Sequence, residues 1–89
     1  MSLYDNEAIA LKYEPGNVAP IVVASGAGHM AQKIIEVATE HNVPVYEDTS
    51  LTTVLSKLQL GQAIPDELYN AIVEIYVYFL KFGEEDMEE

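Results

Sequence analysis

From residue 7 onward the chain alternates. In Glu7-Ala8-Ile9-Ala10-Leu11-Lys12-Tyr13 the large side chains of Ile9, Leu11 and Tyr13 fall on one face and Ala8, Ala10 and Lys12 on the other, which predicts a half-exposed β-strand. Pro15-Gly16-Asn17 supplies turn chemistry. Pro20-Ile21-Val22-Val23-Ala24 follows as an unbroken, β-branched apolar run bounded by Ser25-Gly26, the pattern of a central strand. From His29 to His41 the period becomes helical. Met30, Ala31, Ile34, Ile35, Val37 and Ala38 gather on one side, Gln32, Lys33, Glu36 and Glu40 on the other, and Asn42 suits the C-terminal stop.

Val43-Pro44-Val45-Tyr46 reads as a short third strand, its proline suited to a strand start or a sheet edge. Strand, helix and strand form one right-handed βαβ unit, so the last two strands are expected parallel and the first two antiparallel across Pro15-Gly16-Asn17. Asp48, Thr49 or Ser50 caps a second helix carrying Leu51, Val54, Leu55 and Leu58 at i, i+3, i+4 and i+7. Gly61–Ile64 is a connection. Pro65-Asp66-Glu67 opens a last helix that runs to Gly83, with proline in the first turn and two acids at the positive end of the dipole. The predicted fold class is α/β, a small mixed sheet of about three strands in β-β-α-β-α-α order packed with three helices. The last helix, with Leu68, Ile72, Val73, Ile75, Tyr76, Val77, Tyr78, Phe79 and Leu80, keeps little polar face beyond Asn70 and Glu74. A helix apolar all round needs cover on two sides, from this chain, from a partner or from a homodimer.

Composition narrows the picture. Eighty-nine residues, 49% apolar and 21% charged, make one small domain. A domain of this size buries only about 60–65% of its unfolded surface, which leaves it marginal alone. The absence of cysteine excludes disulfides, thiolate chemistry and the usual structural zinc sites, and His29 and His41 are the only histidines. No metal or cofactor is expected. The net charge of −11, with no arginine, opposes nucleic acid and anionic membrane, both of which need cationic neutralisation. Five acids crowd into Gly83-Glu84-Glu85-Asp86-Met87-Glu88-Glu89, so residues 84–89 are expected to be a solvated acidic tail behind a domain spanning residues 1–83. The apolar run Ile75–Leu80 is far short of the roughly 20 residues of a membrane span, no signal segment precedes it, and a cytoplasmic protein is expected. Met1-Ser2-Leu3 fits an expression leader.

One motif invites an enzymatic or nucleotide reading. Gly26-Ala27-Gly28-His29-Met30-Ala31 follows a strand, opens a helix and matches G-x-G-x-x-G/A, with Glu47 about twenty residues on. A pyrophosphate would sit on amides at the helix start and Glu47 would accept from a ribose hydroxyl. Three strands give no second half to form the crevice, and the acidic charge repels phosphates. The plainer reading is a glycine turn that lets the helix approach the strand. His29, in the first helical turn, is expected to be a neutral surface histidine. Ser25 and Ser50 read as turn or cap residues, Glu47 and Asp48 as caps or solvated ends, and no nucleophile motif is present. The chain does not read as an enzyme.

Four segments, in order, carry a resemblance: Ala8-Ile9-Ala10-Leu11-Lys12-Tyr13, Pro20-Ile21-Val22-Val23-Ala24-Ser25-Gly26-Ala27, Asn42-Val43-Pro44-Val45 and Gly61-Gln62-Ala63-Ile64-Pro65-Asp66-Glu67-Leu68-Tyr69. Over about residues 7–82 the chain resembles the cytoplasmic domain of the FlhB/YscU family, the export-switch components of flagellar and virulence type III secretion. The resemblance implies a membrane region and a linker in full-length members, and self-cleavage at Asn-Pro-Thr-His just before the strand matched by Ala8–Tyr13. Here those four positions read Leu3, Tyr4, Asp5 and Asn6, so self-cleavage is not expected. It further implies a cytoplasmic, non-enzymatic role like that of the cleaved C-terminal fragment, at or near the export gate. The implied partners are an export-gate membrane protein or its N-terminal cytoplasmic fragment, and export substrates. In full members a strand before the cleavage site completes the sheet. Its absence marks Glu7, Ala8, Ile9, Ala10, Leu11, Lys12 and Tyr13 as an open edge for a donor strand, with Tyr76 and Phe79 as further contact residues. The plainer alternative is a self-sufficient edge shielded by Glu7 and Lys12.

Overall fold

In a computed structural model that describes residues 6–83, two strands and three helices enclose one small core. Strand β1 (Glu7–Lys12) leads into a turn in which the Asn17 N–H donates to the Glu14 carbonyl at 3.0 Å. Gly16 takes φ 95° there, a left-handed value that glycine adopts without steric cost, and the ring of Pro15 fixes its own φ as the preceding position of the turn requires. The chain returns as β2 (Ile21–Ala27), antiparallel to β1, with Ala8 opposite Gly26 and Ala10 opposite Ala24. The register then shifts so that Leu11 faces Val22, which leaves Val23 as the extra residue of a β-bulge, half exposed.

Helix α1 (His29–Glu40) follows immediately, as its period predicts. It ends in a Schellman motif. Asn42 sits at φ 61°, its N–H donates to the Thr39 carbonyl, and the Val43 N–H donates to the Ala38 carbonyl at 2.8 Å. Helix α2 (Thr49–Leu55) is capped by Asp48, whose side chain accepts from the Leu51 N–H at 3.0 Å. A 3₁₀ turn over Asp66–Leu68 leads into α3 (Tyr69–Tyr78).

Both faces of the hairpin are covered. A Cβ on Gly26 would lie 2.5 Å from Cγ and 2.8 Å from Cβ of Met30, so α1 lies directly on the face formed by Ala8, Ala10 and Gly26. On the opposite face Ile9 and Leu11 pack against the buried cluster Ala19, Leu55, Ile64 and Ile72, together with Leu51, Leu58 and Ile75. The expected half-exposed strand is therefore corrected: Ala8 is buried, because small side chains there admit the helix.

The sheet is the larger correction. It is two-stranded and antiparallel rather than mixed with about three strands, and Val43–Tyr46 is not a strand. The reason is local: the Val43 N–H is consumed by the end of α1 and Pro44 has none. The far side of β2 is taken instead by the connection. The Val22 N–H donates to Gln62, the Gly61 N–H to Val22 and the Ile64 N–H to Pro20, with Ile21 opposite Ala63 in an antiparallel bridge. The last helix also departs from an unbroken run to Gly83, since its end widens into a π turn over Phe79–Gly83. Leu3, Tyr4, Asp5 and the acidic tail 84–89 lie outside the described residues.

Candidate partner-binding site

The hydrogen-bond phase of β1 follows from one contact. The Gly28 N–H donates to the Asn6 carbonyl at 2.9 Å, so Asn6 faces β2, and alternation turns Ala8 and Ala10 the same way. Glu7, Ile9 and Leu11 then direct their backbone groups away from β2. Val22, opposite Leu11, directs its own to Gln62 and Gly61, which fits that phase. Among the described residues no second strand meets the outer edge of β1. At its end the Lys12 ammonium pairs with Glu14 at 3.0 Å, both well exposed, a contact worth well under about 1 kcal/mol.

Beyond Lys12 the strand runs into an apolar groove of about 250 Å³. One wall is the returning loop, with Tyr13, Val18, Ala19 and Pro20; the other is α3, with Tyr69, Ile72, Val73 and Tyr76; Ile64 also lines it. Ala19, Ile64 and Ile72 are buried at its base, while Val18 at 87% and Val73 at 54% exposure present apolar surface to solvent. Burial pushes the Tyr76 phenol above its ordinary value of 10.0. Tyr69 is raised as well, first by desolvation and then by the charge of, and a hydrogen bond with, Asp66. Both hydroxyls are thus protonated hydrogen-bond groups at neutral pH, set into an apolar wall.

The expected contact residues divide. Tyr13 and Tyr76 meet in the groove, but Phe79 does not line it; its ring stands edge-on to Tyr46 at 6.2 Å and Tyr78 at 5.9 Å. Val18, Ala19, Pro20 and Val73 had not been singled out as contact residues, and a lone apolar valine in a turn-rich loop carries no signal of its own. The dinucleotide reading loses its structural support. Gly28 is buried with its amide bonded to Asn6, Gly26 lies under Met30 and Ile34, and Val43–Tyr46 adds no strand to form a crevice. No group of three or more metal-ligating side chains occurs among the described residues, and no helix there is long and apolar enough to cross a membrane.

The sequence model described as the FlhB HrpN YscU SpaS Family matches residues 6–79. The chain belongs to that family. It is 38% identical to protein YlqH of Bacillus subtilis, over 88% of this chain and 85% of YlqH. It is 41% identical to the flagellar biosynthetic protein FlhB of Aquifex aeolicus over 82% of this chain, and 40% identical to that of Bacillus subtilis over 83%. The match takes in only 21% of the length of each FlhB. Among solved structures, a mutated EscU/SpaS C-terminal domain superposes with a TM-score of 0.78 at 28% identity, covering 84% of this chain and 95% of that one. The PscU C-terminal domain gives 0.75 at 25% identity, covering 82% and 95%. The FlhB-family chain thus has the small α/β architecture of those C-terminal domains.

Proposed function

We propose that the chain is a non-enzymatic component of the flagellar or type III protein export apparatus, acting through protein–protein contacts in place of the cleaved C-terminal fragment of the switch protein. Family membership supports the export role. The observation that carries the contact role is a juxtaposition: Tyr13, which directly follows β1, lines the groove, so anything paired along Glu7–Lys12 ends beside it. The edge offers hydrogen bonds to a strand of an export-gate membrane protein or of its N-terminal cytoplasmic fragment. The groove offers apolar contact to a side chain of an export substrate. Chain and partner would meet at the cytoplasmic face of the export gate.

The test is secretion of hook-type and filament-type substrates from cells whose switch protein ends at its cleavage site, with and without this chain. Export is expected to return with the chain and to drop at least about tenfold with Tyr76→Asp, which places a charge in the apolar wall. No return of export from a soluble, folded chain in a matched host overturns the proposal.

A further inference from the structure

A second apolar surface lies apart from the groove, where the chain leaves α3. The π turn over Phe79–Gly83 sets Phe82 beside Tyr78, with ring centroids 4.9 Å apart. Tyr46, from the segment between α1 and α2, stands edge-on to Tyr78 at 5.4 Å and to Phe79 at 6.2 Å. Four rings from two parts of the chain thus form one cluster, and none of them lines the groove. Edge-to-face contact uses only part of each ring. The outer surfaces are left over, with Tyr46, Tyr78 and Phe82 exposed by 44%, 46% and 49%. The charge around the cluster is one-sided. Glu47 and Asp48 directly follow Tyr46, Glu74 precedes Tyr78 by one helical turn, and the stretch after Gly83 is acidic at every position but Met87. Lys81 is the single cation set against them, because Lys12, Lys33 and Lys57 sit on or beside β1, α1 and α2 and the chain has no arginine.

That charge selects the occupant. A second copy of a chain of net charge −11 would bring its own acids against these, and nucleic acid or anionic lipid is repelled in the same way. A cation is attracted twice, by the negative face of a ring and by the carboxylates beside it. Arginine meets both demands better than lysine. Its planar guanidinium stacks on a ring while the N–H groups at its rim reach carboxylates, and it is the more weakly hydrated of the two cations. Val77 and Leu80, exposed on the same stretch of helix, offer apolar contact to its stem. We infer that the cluster of Tyr46, Tyr78, Phe79 and Phe82 is a docking surface for an arginine-bearing segment of another protein, with guanidinium groups on the exposed rings and the flanking acids as their counter-charges. The inference stands apart from the β1 edge and from the groove, since no ring of the cluster belongs to either.

Ring-proton NMR of the full chain tests this, in titrations with a blocked octapeptide alternating arginine and glycine, which carries no apolar side chain for the groove, and with its lysine counterpart. The signals of Tyr46, Tyr78 and Phe82 are expected to move with the arginine peptide, which should bind at least about threefold more tightly than the lysine peptide. Tyr78→Leu, at a half-exposed position, should remove that preference and leave only the weaker, salt-screened attraction of the acids. Phe82→Leu is the companion variant and keeps the test open if Tyr78→Leu fails to fold. Glu47→Gln combined with Glu74→Gln should weaken both peptides alike. Equal binding of the two peptides overturns the inference, as does a preference for arginine that survives both leucine variants. Shifts confined to Tyr13 and Tyr76 would put the cation in the groove and overturn it. Shifts of the cluster's rings that grow with protein concentration before any peptide is added would give the surface to a second copy and overturn it too.

Discussion

The two outer sides of the hairpin have opposite fates. Beyond β2 the chain supplies its own neighbour: Gly61–Ile64 bonds back to Pro20 and Val22, and Ile64 continues inward to the buried cluster with Ala19, Leu55 and Ile72. Beyond β1 no strand pairs among the described residues, and the strand-like segment Val43–Tyr46 carries no ladder, its side chains about half exposed. Sequence composition does not explain the difference, since Val43-Pro44-Val45-Tyr46 is the more β-prone of the two stretches. Hydrogen-bond supply does. Gly61, Gln62 and Ile64 reach the free groups of β2 directly, whereas Val43 spends its donor on α1 and Pro44 has none. A two-stranded hairpin is marginal by itself, so the closed side holds the fold together.

If the closed side dominates stability, the largest loss should come from its core. Ile72→Ala, at a residue only 3% exposed, is expected to cost about 2–5 kcal/mol through lost burial and a residual cavity. In a domain this small, with a total of roughly 5–10 kcal/mol, urea unfolding should show a midpoint lowered by a third or more at unchanged slope. A shift smaller than that of an exposed substitution would place the centre of stability elsewhere.

The closing turn itself gives a smaller, sharper probe. Gly61 stands at φ 84° with nothing within 4 Å of where a Cβ would go, so Gly61→Ala is opposed by backbone conformation alone. The expected cost is about 1–2 kcal/mol, the penalty of a left-handed value for an L-residue. Because the Gly61 N–H bonds to the Val22 carbonyl at 2.8 Å, exchange at Gly61 should accelerate more than exchange within α1. Equal acceleration everywhere would mean that the bridge is not a separate unit.

How far the fold was legible follows the same division. The hairpin, α1 with its stop at Asn42, and the start of α2 with its cap among Asp48, Thr49 and Ser50 could be read in the sequence because each is fixed by local rules: alternation, turn chemistry, helical period and capping; α2 itself ends at Leu55, short of the Leu58 that its apolar spacing included. The third strand was misplaced because strand propensity says nothing about which backbone groups remain free to pair. Gly61–Ile64 could not be recognised as the closing segment, since its pairing with Pro20–Val22 is non-local and leaves no period. The two halves of the groove were legible unequally. Tyr76 stood out on an over-apolar helix, whereas Ala19 and Pro20 matter through where the loop places them. The glycine motif was matched in spelling, but its meaning lay in packing, with Met30 pressed onto Gly26.

The smallest predicted effect separates the two sides most cleanly. Val45 is 46% exposed and forms no ladder bond, so Val45→Lys in the free chain should shift stability by no more than about 0.5 kcal/mol, as surface substitutions do. Under the proposed contact role the same change should become costly only in company, where a partner covers part of that half-exposed side chain. Thermal unfolding of the free variant and complementation of the truncated switch protein therefore ought to disagree: an unshifted melting temperature together with reduced export. Agreement in either direction breaks the comparison. A destabilised free chain would show that Val43–Tyr46 already contributes to the closed fold, and full export from a stable Val45→Lys chain would show that the open side is merely solvated. A residue neutral in isolation and costly in assembly is the behaviour that distinguishes a contact surface from a solvated loop.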